Sequence, residues 1–277
     1  MNRLLTLGMA MVCASATLWP TAAETAPIAV SVTREDPWEF TAVVYGWYAD
    51  IGGKTTFPNG QSSDISVDAS DLYSNLKFGA LGSFEARKGV WGLFTDLIYM
   101  NVGQFNSQFH DLSIGGIGLP ADVSSSTNSS MKSLVWTVAG SYRVISQPDA
   151  AVDTFVGARL FDTEVSVDWT LNGNIGRYPI PERAGNLSTR SDYIDGIVGL
   201  KGRLALGGDR KWFLPYYGDV GTGESKLTWQ AMTGLGYAFQ WGEVLATWRY
   251  MDYQFKSDSG VKSQNFNGPL LGVAFRW

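Results

Sequence analysis

The sequence predicts an all-β chain: a closed, antiparallel up-and-down β-barrel of ten strands that crosses a membrane with those strands. Three observations carry this reading. From Trp38 to Trp277, apolar residues alternate with polar or small ones at a period of two, in segments of about ten or more residues. The connections alternate between tight turns and longer stretches rich in Ser, Asn, Asp and Gly, the asymmetry of a membrane barrel with short turns on one side and loops on the other. The composition holds 11 Trp, 12 Tyr and 14 Phe with only 17% charged residues, and aromatic rings of this kind gather where one side is apolar and the other wet.

The chain opens with residues 1–23, which read as a secretory signal peptide: Arg3 gives the positive start, Leu4 to Leu18 the apolar core, and Thr21-Ala22-Ala23 the small-residue cleavage site before Glu24. Cys13, the only cysteine, lies inside it behind Val12, where a lipid-anchor signal wants a small residue. The exported chain is therefore expected to carry no thiol, disulfide or cysteine-based metal site. Residues 24–37 form a periplasmic linker, and 38–277 a single barrel domain.

Ten strands are expected: Glu39 to Gly52, Asn75 to Arg87, Trp91 to Gln104, Met131 to Ile145, Val152 to Trp169, Ser191 to Leu206, Lys211 to Gly221, Lys226 to Gln240, Glu243 to Lys256 and Ser263 to Trp277. Lys88-Gly89-Val90, Ser146 to Ala151, Gly207 to Arg210 and Trp241-Gly242 read as short periplasmic turns. Gly53 to Ser74, Phe105 to Ser130, Thr170 to Arg190, Thr222 to Ser225 and Ser257 to Lys262 read as extracellular loops, most of them long. Within the first, Pro58-Asn59-Gly60 suits a hairpin turn and Ser70 to Asn75 one helical turn. The count rises to twelve strands if Asp64 to Val67 and part of Phe105 to Ser130 pair within the sheet.

The two faces of the strands differ in kind. Leu76, Phe78, Ala80, Gly82, Phe84 and Ala86 share one side of their strand and Lys77, Gly79, Ser83, Glu85 and Arg87 the other. Leu134, Trp136, Val138, Tyr142 and Val144 likewise oppose Ser133, Thr137, Ser141 and Arg143. A soluble β-sandwich alternates too. Strand length together with Trp47, Tyr48, Trp91, Tyr99, Trp169, Tyr193, Trp212 and Trp241 near strand ends favours a lipid-facing surface bounded by two aromatic girdles.

The last strand sets Leu271, Val273, Phe275 and Trp277 on one side. This ending, Gly-Val-Ala-Phe-Arg-Trp, resembles the C-terminal signal by which the barrel-assembly machinery recognises bacterial outer-membrane barrels, with Phe275 and Trp277 as its aromatics. The hairpin from Phe84 to Tyr99, FEARKGVWGLFTDLIY, is similar to the second hairpin of a group of largely uncharacterised proteobacterial outer-membrane β-barrels. The resemblance implies the outer membrane of a Gram-negative cell, its lipid as surroundings, and little chemistry.

Projected inward, the polar face collects Lys77, Glu85, Arg87, Asp96, Arg143, Arg159, Asp195, Lys201, Arg203, Asp219, Arg249 and Arg276. A barrel of about this size is filled by its own side chains, and buried charges must pair or meet water. These residues either brace a nearly closed lumen as ion pairs or line a narrow, porin-like passage for small ions or solutes, with anions preferred because eight of the twelve are basic.

Other functions find less support. A net charge of -5 with no basic run argues against nucleic acid. The only histidine, His110, starts a long loop beside Asp111, and no nucleophile or second acid is nominated within its reach. Barrel proteases use an Asp-x-His order that is missing, so no enzyme is expected. Gly116 to Ala121 imitates a dinucleotide fingerprint, but Pro120 and the serines after it supply no helix. One histidine and no calcium-loop pattern leave metals and other cofactors unsupported. Binding through the long surface loops, or adhesion, remains the alternative to a structural or passive-permeation role.

Overall fold

The computed structural model describes residues 36–56, 62–105, 123–175, 178–256 and 261–277. The signal peptide, residues 24–35 of the linker, Pro58-Asn59-Gly60, His110, Gly116 to Ala121 and Asp258 lie outside the described residues.

In chain order the elements are β1 (Trp38–Trp47), β2 (Asp50–Thr56), β3 (Ser62–Val67), α1 (Ala69–Ser74), β4 (Leu76–Lys88), β5 (Trp91–Phe105), β6 (Val123–Ser146), β7 (Ala150–Ile175), β8 (Tyr178–Leu206), β9 (Trp212–Gly223), β10 (Leu227–Ala238), β11 (Glu243–Gln254) and β12 (Val261–Arg276). A ring of ten runs β1-β4-β5-β6-β7-β8-β9-β10-β11-β12 and closes where β12 pairs with β1, from Thr41 opposite Arg276 to Trp47 opposite Leu270. Every pairing in the ring is antiparallel; apart from β1–β4, between which β2, β3 and α1 intervene, and the β1–β12 closure, each joins strands consecutive in the chain.

The expected first strand, Glu39 to Gly52, is two strands. Both lie along β12, and the break at Tyr48-Ala49 falls opposite Gly268-Pro269, where proline offers no N–H to the ladder. Tyr48 N still donates to Pro269 O at 2.9 Å. Asp64 to Val67 does pair, as part of β3 on β2, outside the ring. The sheet therefore holds twelve strands while the barrel closes on ten.

Of two expected loops, Thr170 to Arg190 is almost wholly strand and Phe105 to Ser130 is strand at its ends. Residues 123–130 lengthen β6, and β7 and β8 stay paired from Asp162 opposite Asp192 out to Ile175 opposite Tyr178. At about 3.3 Å per residue, that hairpin rises roughly 43 Å along the strand beyond the level of Asp162. The helical turn expected at Ser70 to Asn75 is α1, tied down by Ala69 N donating to Asp50 Oδ1 (2.8 Å) and Tyr73 OH donating to Trp47 O (2.8 Å).

The outer face is apolar around the ring: Val44, Leu93, Leu97, Trp136, Val156, Ile194, Val198, Leu200, Val220, Leu235, Trp248 and Leu271 are all exposed. Aromatic pairs mark its short-turn edge, among them Trp91–Tyr142 and Trp212–Tyr237 with centroids 4.9 Å apart. Tyr48–Tyr73 and Trp229–Tyr250 mark the other edge. Trp277 is held at the first edge: its backbone exchanges two hydrogen bonds with Phe40 (2.9 and 3.1 Å), and the two rings stack at 6.0 Å. Two of the aromatics assigned to the girdles belong to the interior instead, because Trp47 donates to Gly268 O (3.2 Å) and Tyr193 packs on Phe255. Trp169 falls outside the residues whose side chains are described.

Candidate functional site

The interior of the barrel is the candidate site, and it is stacked in layers. Nearest the short turns, Glu243 at the start of β11 accepts from Arg203 of β8 (2.5 Å) and Arg276 of β12 (3.0 Å). Above them Arg87 of β4 donates to Glu85 (2.6 Å) and to Asp153 of β7 (2.5 Å), Arg143 of β6 donates to Asp153 (2.8 Å), and Lys201 of β8 to Glu85 (2.5 Å). The Lys201 ammonium also lies 4.2 Å from the centre of the Phe94 ring.

The middle layer is built on Asp96 of β5. Its Oδ1 accepts from Tyr45 OH (2.7 Å) and its Oδ2 from Arg249 of β11 (2.7 Å), while Arg249 also donates to Tyr45 OH (2.9 Å) and Gln230 Oε1 (2.9 Å). A step higher, Arg159 of β7 and Asp219 of β9 form a two-point pair, both side chains fully buried, with Arg159 Nε donating to Thr137 Oγ1 (3.2 Å). Two parallel bonds between guanidinium and carboxylate fix orientation as well as charge.

Towards the long loops the inward face stops being polar. Trp47, Ile98, Val135, Phe161, Met251, Tyr253, Phe255 and Phe266 pack together across the lumen, with Ile51, Val67 and Leu72 from β2, β3 and α1 closing over them. Phe161 and Tyr253 have centroids 4.5 Å apart, and both are fully buried. This is a hydrophobic core inside a barrel, a plug made by the strands themselves.

The residues expected inside are distributed as follows. Glu85, Arg87, Asp96, Arg143, Arg159, Lys201, Arg203, Asp219 and Arg249 join the layers just described. Arg276 stands at the short-turn mouth, half exposed. Asp195 is inside but meets no cation among the described residues; it accepts from Ser225 N (2.9 Å) and Ser225 Oγ (2.6 Å), pinning the β9–β10 connection. Lys77 is not inside: the ladder shifts register between Leu76 and Phe78, and the side chain lies exposed against Gly103.

Asp153 and Glu243 were missed, yet each shares the parity of an inward arginine on its own strand, Arg159 and Arg249. Counting them makes the interior far less basic than the sequence suggested. The apolar plug was missed for a different reason. Phe161 follows Arg159 by two, and Met251, Tyr253 and Phe255 continue the same face as Arg249, so one face changes character half-way up the strand.

Among the described residues a cavity of about 170 Å³ survives between the ion-pair layers. Its polar lining includes Glu85, Asp96, Lys201, Gln230, Thr247 and Arg249; its apolar lining includes Val43, Met232, Leu245 and Leu270.

No family model matches the sequence, and no curated protein matches it. Among solved structures the chain is similar to the outer-membrane protease OmpT of Escherichia coli, with a TM-score of 0.55 at 7% identity over 87% of this chain and 97% of that one. It also aligns with Ail, the attachment invasion locus protein of Yersinia pestis (TM-score 0.33, 11% identity, 87% and 99% covered), and with Neisserial surface protein A (TM-score 0.28, 13% identity, 87% and 97% covered). The OmpT match agrees with the closed β-barrel; at such identity it speaks to the fold alone.

Proposed function

We propose that the protein is an outer-membrane β-barrel, exported by its N-terminal signal, seated in lipid, and serving a structural role with a lumen closed to solutes. The observation that carries this is the filled interior: paired charges occupy the short-turn half, and the core of Trp47, Phe161, Tyr253 and Phe266 occupies the other. A hydrophobic constriction closes a passage by excluding water, and the packed, fully buried layer of Phe161 and Tyr253 spans the lumen in that way. The exposed apolar belt and its aromatic edges support the lipid setting. The stacked and hydrogen-bonded Trp277 supports its part in assembly. No catalytic role is proposed, since the luminal carboxylates described above are engaged by Arg, Lys, Tyr or Ser donors.

The test is conductance in a planar bilayer after a heat-dependent gel shift has shown the refolded barrel. A folded, inserted and silent protein is expected. Discrete current steps would overturn the closed-lumen reading, and an anion preference lost in Arg143→Ala would restore the narrow-pore alternative.

A further inference from the structure

We infer that the luminal cavity is a binding site, open towards the short-turn end, for a small carboxylate with a short apolar body. The closed lumen gives it a roof. Above Arg249 and Gln230 lie the Arg159–Asp219 pair and then Phe161, Tyr253, Met251 and Phe266, all sealed from solvent. Below, the barrier is thinner. Arg143 and Arg203 are about a quarter exposed and Arg276 about half, although Glu243 beside them stays buried, so solvent reaches these cations from the short-turn side. The cavity is a blind cup with its mouth on one side.

The polar lining offers donors and no spare acceptor pair. Both oxygens of Asp96 are taken, by Tyr45 and Arg249, and both of Glu85, by Arg87 and Lys201. Gln230 gives its Oε1 to Arg249, leaving its amide nitrogen as a donor. Lys201 uses one of its protons on Glu85. Arg249 Nε and Thr247 Oγ1, on two of the lining residues, have no hydrogen-bond partner among the described residues. A buried donor left without a partner costs free energy, so a group supplying acceptors fits where a cation would not. Charge points the same way: among the described residues the cations Arg87, Arg143 and Lys201 are bonded to two carboxylates, Glu85 and Asp153.

The apolar lining sets the rest of the ligand. Val43, Met232, Leu245 and Leu270 bring no charge to it, and Phe94 and Tyr217 add aromatic lining. An apolar cavity of about 150 Å³ takes one benzene ring, so 170 Å³ takes a body of that size. Its carboxylate would lie at Lys201, Gln230 and Thr247.

The test uses the refolded full-length chain in detergent, with benzoate, benzyl alcohol and benzylammonium as probes. Binding is read by ligand-observed NMR and by the thermal unfolding midpoint. Benzoate should bind saturably and raise the midpoint; benzyl alcohol should bind about tenfold more weakly or worse, and benzylammonium should not bind. Met232→Trp and Leu245→Phe fill the cavity from its apolar lining. Either one that keeps the heat-dependent gel shift should lose benzoate binding. Absence of saturable benzoate binding, equal binding of benzylammonium, or binding that survives cavity filling would overturn the proposal. This experiment reads binding in detergent and the conductance experiment reads passage, so either reading can fail without the other.

Discussion

Removing the Asp219 carboxylate should be far more damaging than removing the whole ion pair it belongs to. Arg159 and Asp219 sit between the cavity and the aromatic plug with no side-chain exposure on either partner. In Asp219→Ala the guanidinium keeps Thr137 Oγ1 at 3.2 Å and Thr228 Oγ1 at 3.5 Å but loses the one carboxylate bonded to it among the described residues. Stranding a buried charge in this way costs about 3–5 kcal/mol, roughly two to four powers of ten in the folding equilibrium. Replacing both partners by apolar residues of similar volume, Arg159→Met with Asp219→Leu, removes the charge together with its partner and is expected to cost no more than about 1 kcal/mol, because such swaps are often neutral or stabilising. The assay is urea unfolding in phospholipid vesicles followed by tryptophan fluorescence, with equal slopes required before free energies are compared. If the single and double variants lost the same stability, the pair would not be acting as a desolvated ion pair.

Other perturbations test other parts of the structure. Gly268→Ala should block or severely slow refolding, because a Cβ there would run into the Tyr48 carbonyl oxygen at the β1–β2 break; gel mobility after refolding reads the outcome, and wild-type yield would contradict the register. Replacing residues 167–187 by Asn-Gly should leave the barrel folded, since residues 195–206 of β8 pair with β9 and are independent of the hairpin's distal part; a lost gel shift would show that the extension is needed for folding. Phe161→Ala with Tyr253→Ala should cost several kcal/mol and introduce current steps in bilayers where the parent is silent; silence would mean that another layer closes the lumen.

How far the sequence could be read depended on which environment each face met. Lipid is uniform from Val144 up to Leu134 on β6, so a single period-two pattern identified the outward face and, through it, the number of strands in the ring. The interior is not uniform. On β11 and just past its end the inward residues run Glu243, Leu245, Thr247, Arg249, Met251, Tyr253 and then Phe255, from ion pair to cavity wall to ion pair to plug. Parity puts all of these residues on one side, but only the partner strands decide whether a given level is wet, charged or packed. Arg159 has its carboxylate on β9 and Arg249 has its on β5, pairings that depend on the closure and stagger of the whole ring. The β7–β8 extension escaped for the opposite reason. On β7 the alternation of Val165, Val167, Trp169 and Leu171 does carry the strand as far as expected, to Trp169. From Thr170 round to Arg190 the pattern is lost, with Pro179 and Pro181 inside β8, yet the ladder persists, because residues paired in an antiparallel hairpin need only each other's N–H and C=O groups. The same local physics explains why β3 pairs outside the ring: the apolar face of Ile51 and Val67 has the plug to cover. A strand in this barrel is thus legible where its surroundings are continuous along its length, and a site within it is legible only once the ring is closed.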